Sequence, residues 1–516
     1  MKRILKALGT LTVAFAIFIP MARLLFPLPD ISTRENSVSI PAETETNLGA
    51  SFIDAAAQQP SLSGVIPLQN GHDALASRVE LAVVAQRSID AQYYIWQDDT
   101  SGIMLLNGLY QAAQRGVRVR LLLDDNGVSG MDSFMAALNA QPNFEIRLFN
   151  PSTVRTPKLL GYAFDFFRMN RRMHNKSFIV DGAIAIIGGR NIGDEYFEVG
   201  DDNFYLDMDV LATGAVVPET ADMFDAYWNS ASVFGVETII EGDGDLGAFE
   251  ARVEAVLASD EADTLLGELQ DSVERYANGE ISMEWTTVQL MADNPAKGQG
   301  IATAEQLLVT QIEEILATAE NRLDVVSAYF VPGVRGTTSL TNLADTGVDI
   351  SILTNALNTT DVLLVHAGYT RYRRELLEAD ISLYELKLRA DMTSEAELQI
   401  LPFGLSGASL HAKTFAIDDS RLFIGSFNFD PRSATLNCEM GFLIDSPTLA
   451  RQASEGFDGP LDVISYQPQL TPEEKMVWLE VLEDGETVIY QEEPGASWFQ
   501  QIAFAVLGFF PIEWLL

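Results

Sequence analysis

The chain has 516 residues, 47% of them apolar, enough to fill the cores of two domains. Its net charge of −40 argues against general nucleic-acid binding, which needs a basic surface to displace counterions from phosphates. One cysteine, Cys438, leaves no disulfide framework and no thiolate zinc site, and beside a predicted buried strand it is expected to be a small core thiol.

In chain order, Lys2, Arg3 and Lys6 precede an apolar run from Ala7 to Ala22 that Pro20 breaks and Arg23 closes. As a helix it reaches roughly 24 Å, short of a ~30 Å hydrocarbon core, although Lys6 and Arg23 could snorkel. The segment 1–59 is expected to be an uncleaved membrane anchor or a cleaved signal, followed by a linker. Either places the body outside the cytoplasm.

A first lobe is expected over 60–240. Asp90 opens a strand after a helical pattern, and Gly116-Val-Arg-Val-Arg-Leu-Leu-Leu-Asp124 is a Gly-initiated strand after another. From Arg155 to Met173 the charge reverses, with Arg155, Lys158, Arg168, Arg171 and Arg172 against Asp165, interleaved with Tyr162, Phe164, Phe166 and Phe167. Cations mixed with aromatics suit an anionic lipid surface, or only offset a phosphate site. Residues 241–284, with thirteen acids and two bases, read as solvated helices joining this lobe to a second over 285–465. In the tail 466–516, the apolar stretch 498–516 carries Trp498 and Trp514 and is interrupted by Pro511. It suits a helix lying in a membrane interface or a shallow hairpin, or a segment packed on the body.

Between these ends the chain repeats itself. His174-Asn-Lys176 stands four residues before Asp181, and six more lead to Gly188-Gly-Arg-Asn191. His411-Ala-Lys413, Asp418 and Gly425-Ser-Phe-Asn428 follow the same spacing. Ser177–Val180 and Thr414–Ile417 read as core strands closed by turns at Asp181-Gly182 and Asp418-Asp-Ser420. Alternate strand residues share a face, so each histidine points the same way as its lysine. The repeat extends outward: Asp90 lies 84 residues before His174, and Asp324 lies 87 before His411. Two homologous α/β lobes follow, each a mixed, largely parallel sheet flanked by helices, with one shared site at their interface for attacking a phosphodiester.

This duplicated signature resembles that of the phospholipase D superfamily. The text around it, including Asp90–Trp96, Gly188–Tyr196, Gly425–Ser433 and Glu513–Leu516, is similar to the cardiolipin synthase C type. The resemblance covers most of the chain after about residue 60 and is weakest over 241–284. It implies His174, Lys176, Asp181, His411, Lys413 and Asp418 as the catalytic set, with His174 as nucleophile and His411 as acid and base. Asp181 and Asp418, at hairpin turns, are expected to take a structural part. Lys176, Lys413, Asn191, Asn428 and Ser426 would hold the phosphate oxygens. Gly189 stands where Ser426 does, so a backbone N–H would substitute for the missing hydroxyl. Glu439 resembles the family's histidine-orienting carboxylate, and aligning 437–443 with 205–211 gives Asp207 the same role for the first lobe. His366, Tyr369 and Arg373 could line a headgroup pocket or be an ordinary cationic helix face.

No metal-ligand motif occurs, so neither a metal nor another cofactor is expected. The resemblance implies a cardiolipin-making phosphatidyltransferase at the bacterial inner membrane, its body on the extracytoplasmic side. Its partners would be phospholipids and the membrane surface and not nucleic acid; an accessory protein is left open. It would move a phosphatidyl group from phosphatidylethanolamine to phosphatidylglycerol through a phosphohistidine. Phospholipid hydrolysis, a nuclease-type phosphodiesterase and a non-catalytic membrane scaffold are the alternatives.

Overall fold

A computed structural model describes residues 16–200, 204–278, 282–360, 362–387, 408–482 and 484–495. Two sheets carry the repeat. The first runs, edge to edge, Glu284–Thr286, Ser63–Leu68, Asp209–Gly214, Ile184–Gly188, Ser177–Val180, Ser88–Ile95, Arg118–Gly127, Phe144–Phe149 and Val233–Gly235. The second runs Val288–Ala292, Met440–Ile444, Arg421–Gly425, Lys413–Ile417, Arg322–Ser327, Asp349–Asn355 and Ser382–Leu386, then Ser465–Leu470, Met476–Val481 and Thr487–Tyr490. From Ser63–Leu68 to Phe144–Phe149, and from Val288–Ala292 to Ser382–Leu386, the order is the same. Three strands of each core are parallel, as helix crossovers require, but the hairpins and edge strands beside them are antiparallel, so each sheet is mixed and mostly antiparallel where a largely parallel one is expected.

Turn chemistry builds the hairpins that carry both signatures. Asp181 and Gly182 have φ of 50° and 64°, and Asp418 and Asp419 have 51° and 48°, so each reversal uses two consecutive left-handed residues. Glycine is required at 182 for a further reason, since a Cβ there would sit 2.4 Å from the Ile40 carbonyl oxygen of the crossing N-terminal segment. The flanking helices are capped by their own side chains. Asn70 accepts from Asp73 N–H at 3.1 Å, and Asp99 accepts from Gly102 N–H at 2.9 Å.

The sheets meet through one apolar layer to which both lobes contribute, including Ile187, Leu206 and Val210 from the first and Val326, Ile424 and Phe442 from the second. Truncating the fully buried Phe442 to alanine would cost about 3–5 kcal/mol. The acidic connection is helical over Leu246–Leu257 and Asp260–Ala277, yet it is less solvated than its composition suggests. Phe249, Val256, Leu265 and Leu269 are buried in the first lobe's core, against the helices Gly71–Val84 and Thr100–Gln114. Residues 465–490, most of them placed in the tail by sequence, extend the second sheet by three antiparallel strands, with Val477 and Trp478 buried. No helix among the described residues is long and apolar enough to cross a membrane, and of the N-terminal segment the described residues 16–25 are helical. The expectations for residues 1–15 and for 498–516 lie outside the described residues.

Candidate active site

The two histidines are delivered by strand pairings between the lobes. His174 N–H donates to Cys438 O at 2.8 Å, and Cys438 N–H returns to Arg172 O at 2.8 Å. On the other side Ala408–Leu410 pairs in parallel with Phe204–Leu206, and the N–H groups of His411 and Ala412 both donate to Leu206 O at 2.8 Å. Cys438 immediately precedes Glu439, and Leu206 immediately precedes Asp207. Each pairing therefore sets a carboxylate of one lobe against the histidine of the other. His174 Nδ1 lies 2.8 Å from Glu439 Oε2, and His411 Nδ1 lies 2.5 Å from Asp207 Oδ2. The repeat alone suggests that each carboxylate serves its own lobe; the exchange is visible only in three dimensions.

Both imidazoles are buried, and burial governs their protonation. It pushes His174 down to about 4, with Glu439 pulling the other way and Lys176 adding to the drop. Burial also lowers His411, helped by Lys413 and opposed by Asp207. Burial pushes Glu439 and Asp207 up, but the facing imidazoles outweigh it with the nearby lysines, and both carboxyls stay below their ordinary values. At neutral pH two neutral rings thus face two carboxylates. Each donates from Nδ1, which leaves Nε2 with a lone pair. Tyr94 packs edge-on to His174 at 5.0 Å between ring centroids, and Tyr196 and Tyr205 pack on His411 at 5.2 and 5.0 Å.

Lys176 and Lys413 are buried on the same faces as their histidines, as strand alternation predicts. Lys176 Nζ donates to His174 O at 2.7 Å, and Lys413 Nζ to His411 O. Burial lowers Lys176 well below its ordinary value, Glu439 partly offsetting this and Lys413 adding to it. Two lysines buried together are costly without an anion, so the site favours one.

The amide oxygens and the hydroxyl of the residues assigned to phosphate have other partners. Asn191 Oδ1 accepts from Ile95 N–H at 3.1 Å and its Nδ2 donates to Tyr196 Oη at 3.0 Å, while Asn428 Oδ1 accepts from Tyr329 N–H at 3.4 Å. Ser426 Oγ donates to Glu439 Oε2 at 2.6 Å, so it fixes the carboxylate and not a phosphate oxygen. Gly189 holds the matching place because a Cβ there would sit 2.1 Å from Asp207 Oδ1. In that lobe Met208 N–H donates to Asp207 Oδ1 at 2.8 Å, a backbone donor in place of the hydroxyl but aimed at the carboxylate. Asp181 and Asp418 do not reach the histidines. Asp181 accepts from the N–H groups of Gln86, Arg87 and Ser88 at 3.0, 2.7 and 3.0 Å, and Asp418 from Glu320, Asn321 and Arg322 at 2.9, 2.7 and 2.9 Å. They tie each hairpin to the strand beside it.

A family model described as cardiolipin synthase, PLD-like domain, matches residues 80–228 and again 312–460, the two segments that hold the crossed pairs. The chain belongs to this phospholipase D-like, cardiolipin synthase family. It is 42% identical to cardiolipin synthase C of Escherichia coli K12 over 91% of this chain and 99% of that protein. It is 25% identical to cardiolipin synthase 2 of Staphylococcus epidermidis over 78% of this chain and 69% of the relative. The crystal structure of phosphatidylserine synthase from Haemophilus influenzae Rd KW20 superposes with a TM-score of 0.58 at 14% identity, covering 90% and 99% of the two chains, which shows the shared fold. The chain is thus a phospholipase D-superfamily enzyme of the phosphatidyltransferase type.

In this phospholipase D-like enzyme the repeat also positions the residue before each histidine. Asp124 Oδ2 accepts from Met173 N–H at 2.8 Å, and Asn355 Oδ1 accepts from Leu410 N–H at 2.9 Å. Asp124 lies in the strand Arg118–Gly127 and Asn355 ends its counterpart Asp349–Asn355, matching places in the two parallel cores. Ser433, whose Oγ donates to Glu439 Oε1 at 3.1 Å, and Asp293, whose Oδ2 accepts from Glu439 N–H at 2.9 Å, have no signal in the sequence.

Two expectations change. Tyr369 and Arg373 are buried with Glu385, and His366 and Arg373 with Glu493. Tyr369 Oη to Glu385 is 3.0 Å, His366 Nε2 to Glu493 is 2.6 Å and Arg373 Nη2 to Glu493 is 2.7 Å. With Trp478 Nε1 on Glu385 at 3.1 Å, this cluster pins the C-terminal strands to the second lobe. The three side chains are satisfied inside the fold and form neither a headgroup pocket nor a surface cationic face. The cations of 155–173 are likewise used internally: Arg155 and Lys158 on Asp125, Arg168 on Asp165, and Arg172 on Asp124. These four neutralise acids of the fold, Asp124 and Asp125 among its buried ones, and Arg171 donates to Phe167 O.

Proposed function

We propose that the chain transfers a phosphatidyl group from phosphatidylethanolamine to phosphatidylglycerol, forming cardiolipin through a phosphohistidine on His174. The observation that carries this reading is the pair of neutral, buried imidazoles, each oriented by a carboxylate of the opposite lobe and flanked by a buried lysine. His174 Nε2 attacks phosphorus and the bond to the ethanolamine oxygen breaks. His411 gives that oxygen its proton; the phosphate anion, by adding negative charge beside the site, favours the protonated ring this step needs. The terminal hydroxyl of phosphatidylglycerol then loses its proton to His411, its oxygen bonds to phosphorus, and the P–N bond breaks to free His174. Lys176 and Lys413 neutralise the non-bridging oxygens, where charge spreads in the transition state.

The approach to lipid rests on apolar surface beside His174. Leu24, Leu159 and Phe167 are 82%, 76% and 72% exposed. Their segments are joined, because Phe26 stacks on Phe164 at 6.0 Å and Arg23 Nε donates to Phe164 O at 3.2 Å. Such a patch suits insertion into a bilayer interface. From it Tyr162 Oη reaches Asn126 at 3.3 Å, and Asn126 reaches the hydroxyl of Tyr94, the ring against His174. We assign the enzyme to the membrane surface on this basis.

The test is mass spectrometry of lipids after incubating purified protein with vesicles of the two phospholipids. Cardiolipin and free ethanolamine are expected in equal amounts. Phosphatidic acid as the sole product would make the enzyme a hydrolase, and cardiolipin formed with release of glycerol would change the donor.

A further inference from the structure

The second lobe carries an apolar groove whose counterpart in the first lobe is filled. In the first lobe the helices Gly71–Val84 and Thr100–Gln114, with the short helix Asp194–Phe197 between them, lie beneath the acidic connection, whose Phe249, Leu265 and Leu269 enter the core. The repeat places Leu308–Leu316, Gly333–Asp345 and Pro431–Thr435 at the matching positions. Among the described residues no counterpart of the acidic connection lies over these three. A cavity of about 670 Å³ remains, lined chiefly by Leu316, Val334, Leu340, Leu343, Phe427 and Phe429.

The groove is built into the catalytic loop. Phe427 and Phe429 flank Asn428 of the second signature, and Val331 N–H donates to Phe429 O at 2.7 Å, fixing the floor. One wall is the helix Pro431–Thr435, from which Ser433 bonds Glu439, the carboxylate on His174. An ion pair between Arg335 and Glu313 lies at the rim, with Asn342 and Thr346 also in the lining. In the first lobe the position matching Phe427 is Arg190, buried with its guanidinium on Leu68 O and Tyr196 O at 2.8 and 3.1 Å, and no ligand could enter there.

We propose that this groove holds an acyl chain of a phospholipid whose phosphate lies between His174 and His411. The volume falls within the range of about 300–1,000 Å³ for small-molecule sites. A polar rim around an apolar floor that shares the loop Phe427–Phe429 with the second signature matches a lipid, whose charge and hydrocarbon are joined by a short glycerol. A protein helix, by contrast, would gain nothing from a floor shared with the catalytic loop. Each methylene buried there is worth about fourfold in binding, so binding energy far from phosphorus can be used in the transition state.

The inference rests on the phospholipid reading of the site. It is tested with Ser339→Trp and Ala434→Trp, which fill the groove from opposite walls of the full-length protein. kcat/KM is measured for dioleoyl and dihexanoyl forms of the two proposed substrates at equal surface dilution. The long-to-short ratio is expected to fall at least tenfold in each variant. An unchanged ratio overturns the proposal, even if a shift in sedimentation then assigns the groove to a second copy or altered protease protection assigns it to residues 498–516. If wild-type protein turns over neither lipid, the proposed function itself fails, and this is seen before any variant is compared.

Discussion

The two lobes share a core and differ in what covers it. Strand order, hairpin turns, the aspartates behind the turns and the histidine–lysine pairs are repeated, whereas the residue behind each carboxylate, the cover over the helices and the exposed apolar surface are not. The repeated parts are those that hold two imidazoles in matching settings. The unrepeated parts are an apolar skirt of 16–28 and 158–167, joined to the Tyr94 ring on His174 through Tyr162 and Asn126, and an open groove beside the second lobe's catalytic loop, the two surfaces proposed above for lipid. Chemistry that uses two equivalent rings for unequal tasks needs asymmetry, and here most of it stands outside the pair.

The largest effects should come from the repeated parts. His174→Ala and His411→Ala should each lower turnover on the order of 10³-fold or more with the fold intact, since neither lobe can act alone. Residual activity within tenfold of wild type in either variant would break the two-ring account. Glu439→Gln and Asp207→Asn should each cost up to about 10⁴-fold, by loosening the histidine of the other lobe and removing its tautomer control. A pH profile separates them. The acid limb of kcat/KM reports protonation of the nucleophile, placed near 4 because burial lowers His174. Glu439 raises that value, so Glu439→Gln should move the limb to lower pH, whereas Asp207→Asn, acting on His411, should leave it in place.

Exchanging the unlike partners sharpens the comparison. Gly189→Ser should lower activity about tenfold or more, because its Cβ would displace the Asp207 carboxylate from His411. Ser426→Gly should cost about tenfold by removing a charge-assisted hydrogen bond worth ~1.5–3 kcal/mol from Glu439. If Gly189→Ser were neutral, the steric reason for the difference would be wrong. Asp181→Ala should leave kcat within tenfold but lower unfolding stability by about 2–3 kcal/mol, since three N–H groups lose their acceptor. Asp418→Ala should cost less, because Asp418 is half-exposed and water can replace it. A large kcat loss with an unchanged melting temperature would return these aspartates to the chemistry. The smallest effect is expected from Leu159→Glu with Phe167→Glu, a severalfold fall in the vesicle-to-micelle activity ratio.

Much of this was legible in the sequence because the repeat is local. Histidine, lysine and turn aspartate fall within eight residues, where strand alternation and turn chemistry fix geometry without tertiary information. The crossed carboxylates were legible as residues but not as partners, since pairing depends on which lobe's strand lies beside Cys438 or Leu206. Arg172, Arg373 and His366 depart from their expected places for a single reason. A cation's sequence neighbours do not reveal the buried acids it meets, and Asp124 lies 48 residues from Arg172 while Glu493 lies 120 from Arg373. The strands over 465–490 alternate too weakly, with Pro468 in their midst, to stand out from a tail.

The central claim is that one histidine from each lobe completes a single site and that His174 carries the phosphatidyl group. Phosphatidyl-p-nitrophenol has a leaving group that needs no acid, so in His411→Ala the first step can proceed while the second lacks its base. Peptide mass spectrometry of that variant after rapid quenching should find the phosphatidyl adduct on the peptide containing His174. An adduct on His411 in His174→Ala, with none on His174 in His411→Ala, would contradict the account.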